Sequence, residues 1–129
     1  MSEPIWIEDE LALAIHDRLL VEHGGAEGVR DESLLQSALA RPRNHMAYAT
    51  ADLIEPAAKY TGGIVQNHPF VDGNKRTGFV IGVLFLELNG YRFNASEEAA
   101  AQAVIELAAG TMDEKSFCEF LRAHSKRKK

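Results

Sequence analysis

Apolar residues recur at helical spacing along almost the whole chain, and no stretch alternates convincingly enough to read as a sheet. Residues 8–22 place Leu11, Ile15 and Leu19 on one face, and Gly24-Gly25 ends that helix. Asp31 caps a second, short helix carrying Leu34, Leu35, Ala38 and Leu39, which Pro42 terminates. Residues 44–50 read as a loop with Met46 and Tyr48 semi-exposed. Asp52 with Glu55 resembles a capping box for a helix bearing Ala57, Ala58, Tyr60, Ile64 and Val65. Pro69 biases His68 out of the helical region and ends it near Asn67.

The stretch Asn74–Leu88 is apolar nearly all round, as befits a helix in the centre of a bundle. Asn89-Gly90 closes it, and Tyr91-Arg92-Phe93 reads as a short extended piece. Ser96 caps an Ala-rich helix running to Ala109, and Thr111 with Glu114 forms a capping box for a last helix packed through Phe117, Cys118 and Leu121. The pattern predicts an all-α, compact bundle of about six helices. No repeat or linker divides it, so residues 1–124 form one domain and residues 125–129 a frayed, basic C-terminal tail.

Composition narrows the function classes. Fourteen Lys and Arg against 19 Asp and Glu give a net charge of −5, and Lys126, Arg127, Lys128 and Lys129 supply four of those cations. An acidic body argues against direct nucleic-acid binding. Cys118 is the only cysteine, which excludes an intramolecular disulfide and suits a reducing compartment. No signal-peptide pattern opens the chain, and its longest apolar run, from Phe79 to Leu86, is too short to span a bilayer. A cytoplasmic protein without a membrane partner is the expectation.

The chemistry concentrates in His68-Pro69-Phe70-Val71-Asp72-Gly73-Asn74-Lys75-Arg76. Gly73 and Asn74 stand where a loop turns into the N-terminus of the apolar helix. The first amides there lack internal partners and carry the positive end of the dipole, which makes an anion site. Lys75 and Arg76 in the first turn conflict with that dipole, and a bound phosphate resolves the conflict; the bland alternatives are that both point to solvent or that Asp72 neutralises them. Asp72 either caps the helix or, beside a phosphate, ligates Mg²⁺. His68 is the side chain of the stretch whose ordinary titration range lies near neutrality, so it is either a surface group or a general base. Phe70 anchors the loop to the core on either reading. There is no phosphate loop, no HExxH and no nucleophile elbow, and His16, His23, His45 and His124 are too scattered to suggest a metal site.

Residues His68 to Arg76 resemble the signature of the Fic/Doc family, in which HPF-x-[D/E]-G-N precedes a helix. Gly28-Val29-Arg30-Asp31, Leu34-Leu35, Ala38-Leu39-Ala40-Arg41-Pro42, Phe85-Leu86 and Asn89-Gly90 are similar to the Doc branch, so the likeness covers most of the chain. It implies the Fic fold, with its central helix opening at the motif loop. Fic adenylyltransferases continue G-N-G-R-x-x-R; here Lys75 stands at the second glycine and Phe79 at the last arginine. The G-N-K-R version resembles the Doc form, whose members are kinases binding ATP in the reversed sense.

The resemblance implies that His68 is the base for a target hydroxyl and Asp72 the Mg²⁺ ligand. Gly73, Asn74, Lys75 and Arg76 would bind and neutralise the ATP phosphates. It further implies a death-on-curing toxin that blocks translation by phosphorylating elongation factor Tu and is neutralised by a small antitoxin. No Ser or Thr has Glu four residues later, so the self-inhibitory [S/T]-x-x-x-E-[G/N] segment of many Fic proteins is missing. Restraint then falls to a partner, an antitoxin helix laid in a groove near residues 44–50. Two other expectations stand beside this one: a Fic-type protein adenylyltransferase, and a non-catalytic antitoxin-binding module.

Overall fold

A computed structural model describes residues 3–46 and 52–128 of the chain. Its helices are α1 (Asp9–His23), α2 (Glu32–Met46), α3 (Ile54–Asn67), α4 (Asn74–Leu88), α5 (Glu97–Ala109) and α6 (Glu114–Ala123), with short strands β1 (Tyr91–Phe93) and β2 (Ser125–Arg127). The expected all-α bundle is present, and α3 lies at its centre, packed against α2, α4, α5 and α6. One face of α4 is buried through Asn74, Thr77, Gly78, Ile81 and Phe85, while Phe79, Val80, Val83 and Leu84 are half-buried under neighbouring elements. Its all-round apolar pattern reflects cover from α1, α5 and β1 as well as α3.

Small residues bring α3 and α4 together. Gly78 and Gly82 lie one turn apart on α4, and Thr61 Oγ1 donates to the Gly78 carbonyl at 2.7 Å. A Cβ on Gly82 would collide with Thr61 Oγ1 and stand 2.9 Å from the Ala57 carbonyl oxygen. Overpacking of this kind costs about 1–3 kcal/mol. Gly82→Val is therefore expected to lower the urea midpoint by a corresponding amount, and an unchanged midpoint would show the contact to be slack.

Several local expectations are corrected. Pro42 does not end α2: it is buried inside a helix that continues to Met46, because tertiary packing outweighs one lost backbone hydrogen bond. Residues 47–51, which hold most of the expected loop including Tyr48, lie outside the described residues. The inner face of α1 is carried by buried Ala12 and His16, with Ile15 and Leu13 partly buried against the core, while Leu11 is exposed. Asp52 accepts from the Ile54 amide at 3.0 Å and pairs with Arg122, while Glu55 pairs with His45, so no capping box forms there. Ser96 caps α5 as expected, accepting from the Ala99 amide at 3.1 Å. The cap of α6 is Asp113, which accepts from the Ser116 amide at 2.8 Å, and not Thr111.

Residues 125–128 of the basic C-terminal segment are not frayed. Ser125–Arg127 pairs antiparallel with Tyr91–Phe93, and the Lys128 amide donates to the Gly90 carbonyl at 2.8 Å. Lys128 Nζ reaches the Glu87 carboxylate at 3.2 Å, and the Arg127 guanidinium lies over the Tyr91 ring. Backbone pairing and local ion pairing thus tie down a segment whose side chains alone look solvated. Among the described residues, no helix is long and apolar enough to cross a membrane.

Glu114, freed from capping, takes Arg41 at 2.6 Å and Lys59 at 2.8 Å, its carboxylate lying over Gly62, where a Cβ would clash with it. Burial pushes the Glu114 carboxyl up, but the hydrogen bonds from Arg41 and Lys59 outweigh it and hold the carboxyl below its ordinary 4.5. A depressed carboxyl stabilises the fold above its unfolded value, and that stability is lost as the pH falls through the folded value. Glu114→Gln is expected to cost on the order of 1 kcal/mol at neutral pH after solvent screening. The gap from wild type in urea denaturation should close as the pH is lowered below 4.5.

Candidate active site

The motif loop joins the two best-packed helices, and both of its ends are fixed by backbone chemistry. His68 is the C-cap of α3 at φ 51, ψ 54, the one non-glycine residue with positive φ among the described residues. Such a conformation costs on the order of 1–3 kcal/mol and persists only where the surroundings enforce it. Arg30 does the enforcing. Its Nε donates to the His68 carbonyl at 2.7 Å, its Nη2 to the Asn67 carbonyl at 2.9 Å, and its amide to the Pro69 carbonyl at 2.7 Å. The His68 side chain is left exposed.

Phe70 is fully buried, as its anchoring role requires. The Asn74 side chain clasps its backbone, accepting from the Phe70 amide at 2.9 Å and donating to the Phe70 carbonyl at 3.0 Å. Asn74 therefore acts through its side chain as a loop clip, and only its amide remains for a ligand. A bridge between Val29 and Phe70 and a bond from the Val71 amide to the Gly28 carbonyl, 3.0 Å long, lay residues 28–31 along the loop.

Gly73 is the N-cap of α4 in the left-handed region, φ 79, ψ 18, and offers no side-chain cap. The ladder of α4 begins with the Thr77 amide donating to the Gly73 carbonyl at 3.0 Å, and no acceptor among the described residues takes the Asn74, Lys75 or Arg76 amides. These are the groups that bind anions at helix N-termini. Lys75 and Arg76 are exposed, and neither forms an ion pair among the described residues. Three free amides and the helix dipole make this end of α4 positive, and Lys75 and Arg76 in its first turn add two cations.

Asp72 stands beside that spot and does not cap α4. Its carboxylate accepts from the Gly73 amide at 2.8 Å and from the Ala26 amide at 3.2 Å. Those two bonds, Ala26 first, with smaller help from the nearby Arg76 charge, hold its carboxyl below the usual range, so it is ionised and exposed at neutral pH. No cluster of three metal-ligating side chains exists among the described residues. One oriented carboxylate next to free helix amides is a donor set that suits Mg²⁺ carried in by a nucleotide rather than a resident all-protein metal site.

Lys75, Arg76 and Phe79 also line a groove of about 310 Å³ between α4 and α5, whose other wall is Glu97, Ala100 and Val104. Phe79 packs edge-on against Phe93 at 5.7 Å and gives the groove an aromatic wall. The loop thus gathers His68, Asp72, Gly73, Lys75 and Arg76 on one connection. Sequence reading missed three groups that hold it: Arg30 as the clamp on His68, the Ala26 amide on Asp72, and His16. His16 is 2% exposed, stacks on Phe70 at 3.9 Å, and its Nε2 lies 2.8 Å from the Asp72 carbonyl. The Gly24-Gly25 pair was the available signal for the second of these, since it marks a chain reversal able to approach the motif closely.

The chain resembles known proteins in both sequence and fold. The model of the Fic/DOC family matches residues 6–86. The chain is 32% identical over 117 residues to the protein kinase Doc of Escherichia phage P1, covering 90% of this chain and 92% of that one. It is 38% identical over 77 residues to the toxin Doc of Mycolicibacterium smegmatis, covering 58% of this chain and 59% of that one. Among solved structures, the N-terminal Fic domain of a Bartonella quintana cell filamentation protein, a VirB-translocated Bep effector with bound ADP, superposes with a TM-score of 0.52 at 18% identity. That match covers 83% of this chain and 54% of the other, and shows the shared fold.

Proposed function

The chain belongs to the Fic/DOC family, and from that premise we propose that it is a Doc-type toxin, a protein kinase that transfers the ATP γ-phosphate to a Ser or Thr hydroxyl of a translation factor, elongation factor Tu in the first instance. The observation that carries this reading is the uncapped N-terminus of α4 with Lys75 in place of a glycine and Phe79 in place of a second arginine. Lys75 crowds the pose in which the inner phosphates lie against the backbone, and Phe79 offers nothing to an outer phosphate. A single terminal phosphoryl group held by the α4 amides, Lys75 and Arg76 fits what remains. The relative named a protein kinase, matched over most of both chains, supports the same choice.

In this mechanism His68 accepts the proton of the target hydroxyl as its oxygen bonds to the γ-phosphorus. The bond from that phosphorus to the β-bridging oxygen breaks, and ADP leaves. The amides of Asn74, Lys75 and Arg76 and the two cationic side chains stabilise charge on the transferring group, already oriented before reaction. Asp72 would hold Mg²⁺, which neutralises phosphate charge when bound. Arg30 and Asn74 keep the base and the anion site in fixed relation, and such rigidity is what positioning catalysis needs. The reading includes action in the cytoplasm and restraint by an antitoxin protein.

Expression in growing cells tests it. Translation, followed by labelled amino-acid incorporation, is expected to stop, and to continue with His68→Ala. Growth arrest by His68→Ala as strong as by wild type would instead favour a non-catalytic binding module.

A further inference from the structure

We infer that His16 is a positioning residue for the Asp72 carboxylate, acting through the peptide bond between Asp72 and Gly73. The inference rests on the nucleotide-binding reading of the motif loop. That one peptide unit is gripped at both ends. Its carbonyl oxygen accepts from His16 Nε2 at 2.8 Å, and its N–H donates to the Asp72 carboxylate at 2.8 Å. Because a carbonyl can only accept, Nε2 carries the proton.

The grip answers a weakness in the loop. Gly73 sits at φ 79, and glycine occupies either sign of φ at little cost. The preceding peptide is therefore free to flip unless something holds its oxygen. A flip would turn the carbonyl toward the carboxylate in place of the N–H, and Asp72 would lose a bond that orients it. His16 has the means to prevent this. It projects from α1, a rigid element, and its ring is locked by a 9° stacking angle on buried Phe70. Its other ring nitrogen, Nδ1, lies 4.0 Å from exposed Asp17, so the Asp72 carbonyl is the close partner of the ring. The Ala26 amide holds the second carboxylate oxygen, and His16 secures the first through the shared peptide.

Two replacements separate this role from simple packing. His16→Leu fills the space on Phe70 but donates nothing; His16→Gln places an amide N–H near the former Nε2. Binding of Mg²⁺·ADP is measured by calorimetry on the full chain, beside kcat and KM for ATP and thermal melting. Loss of a group that orients a metal ligand costs roughly 10- to 100-fold in affinity. His16→Leu is expected to weaken Mg²⁺·ADP binding by that factor and to lower kcat, with Gln restoring most of both. Equal binding by wild type and a folded His16→Leu overturns the inference while leaving the nucleotide reading intact; no binding by wild type sinks both.

Should His16→Leu fail to fold, the wild-type His16 Nε2–H resonance decides. Slow solvent exchange that slows further with Mg²⁺·ADP supports the lock. Exchange unaffected by Mg²⁺·ADP overturns it.

Discussion

His68→Ala is expected to lower phosphoryl transfer by about 10²- to 10⁴-fold, the usual worth of a positioned general base. The side chain is exposed, so stability has little to lose with it. One structural effect must be separated from the chemical one. The position lies in the left-handed region, where Ala is strained and Asn is tolerated. His68→Asn keeps the backbone and removes the base, so it should lose as much activity as Ala with an unchanged urea midpoint. If Asn were to retain activity while Ala lost it, His68 would be needed for its backbone and not for proton transfer. Asp72, held below the usual carboxylate range, stays ionised beside the free amides of α4 throughout the neutral range.

Phe70→Ala is expected to destabilise the fold by about 3–5 kcal/mol, as removal of a fully buried phenylalanine does. Total stabilities of about 5–15 kcal/mol leave such a variant marginal. The loss has a particular route. Phe70 is the surface on which His16 stacks, and its backbone is the double partner of Asn74 and the bridge partner of Val29. Emptying its site therefore loosens α1, the segment before α2 and the start of α4 together. Chemical denaturation of Phe70→Ala and Phe70→Leu should place Leu between Ala and wild type. A Phe70→Ala midpoint close to wild type would show that the loop is not anchored through this ring.

The helical frame was legible because α3 and α4 carry long apolar patterns with unambiguous ends: His68-Pro69 after α3, Gly73 before α4 and Asn89-Gly90 after it. The motif was legible for a chemical reason, since cations in the first turn of a helix conflict with its dipole unless an anion is near. What escaped depends on contacts distant in sequence. His16 reads as one histidine on an amphipathic helix, and its meaning comes from a carbonyl 56 residues away. Glu114 looks like half of a capping box until Arg41 and Lys59 arrive from two other helices. Three-residue strands such as Ser125–Arg127 are too short for periodicity and pair by backbone alone. Pro42 misled because a local rule was outweighed where the residue is buried inside α2.

The choice between γ-phosphoryl and adenylyl transfer lies at the centre of the account, and it rests on Lys75 and Phe79, which line one groove. Incubating the protein with a cytoplasmic extract and ATP labelled at either the α- or the γ-phosphate tests it directly. Label incorporated into protein from the γ position alone, and lost with His68→Ala, is the predicted result. Label incorporated from the α position would contradict it.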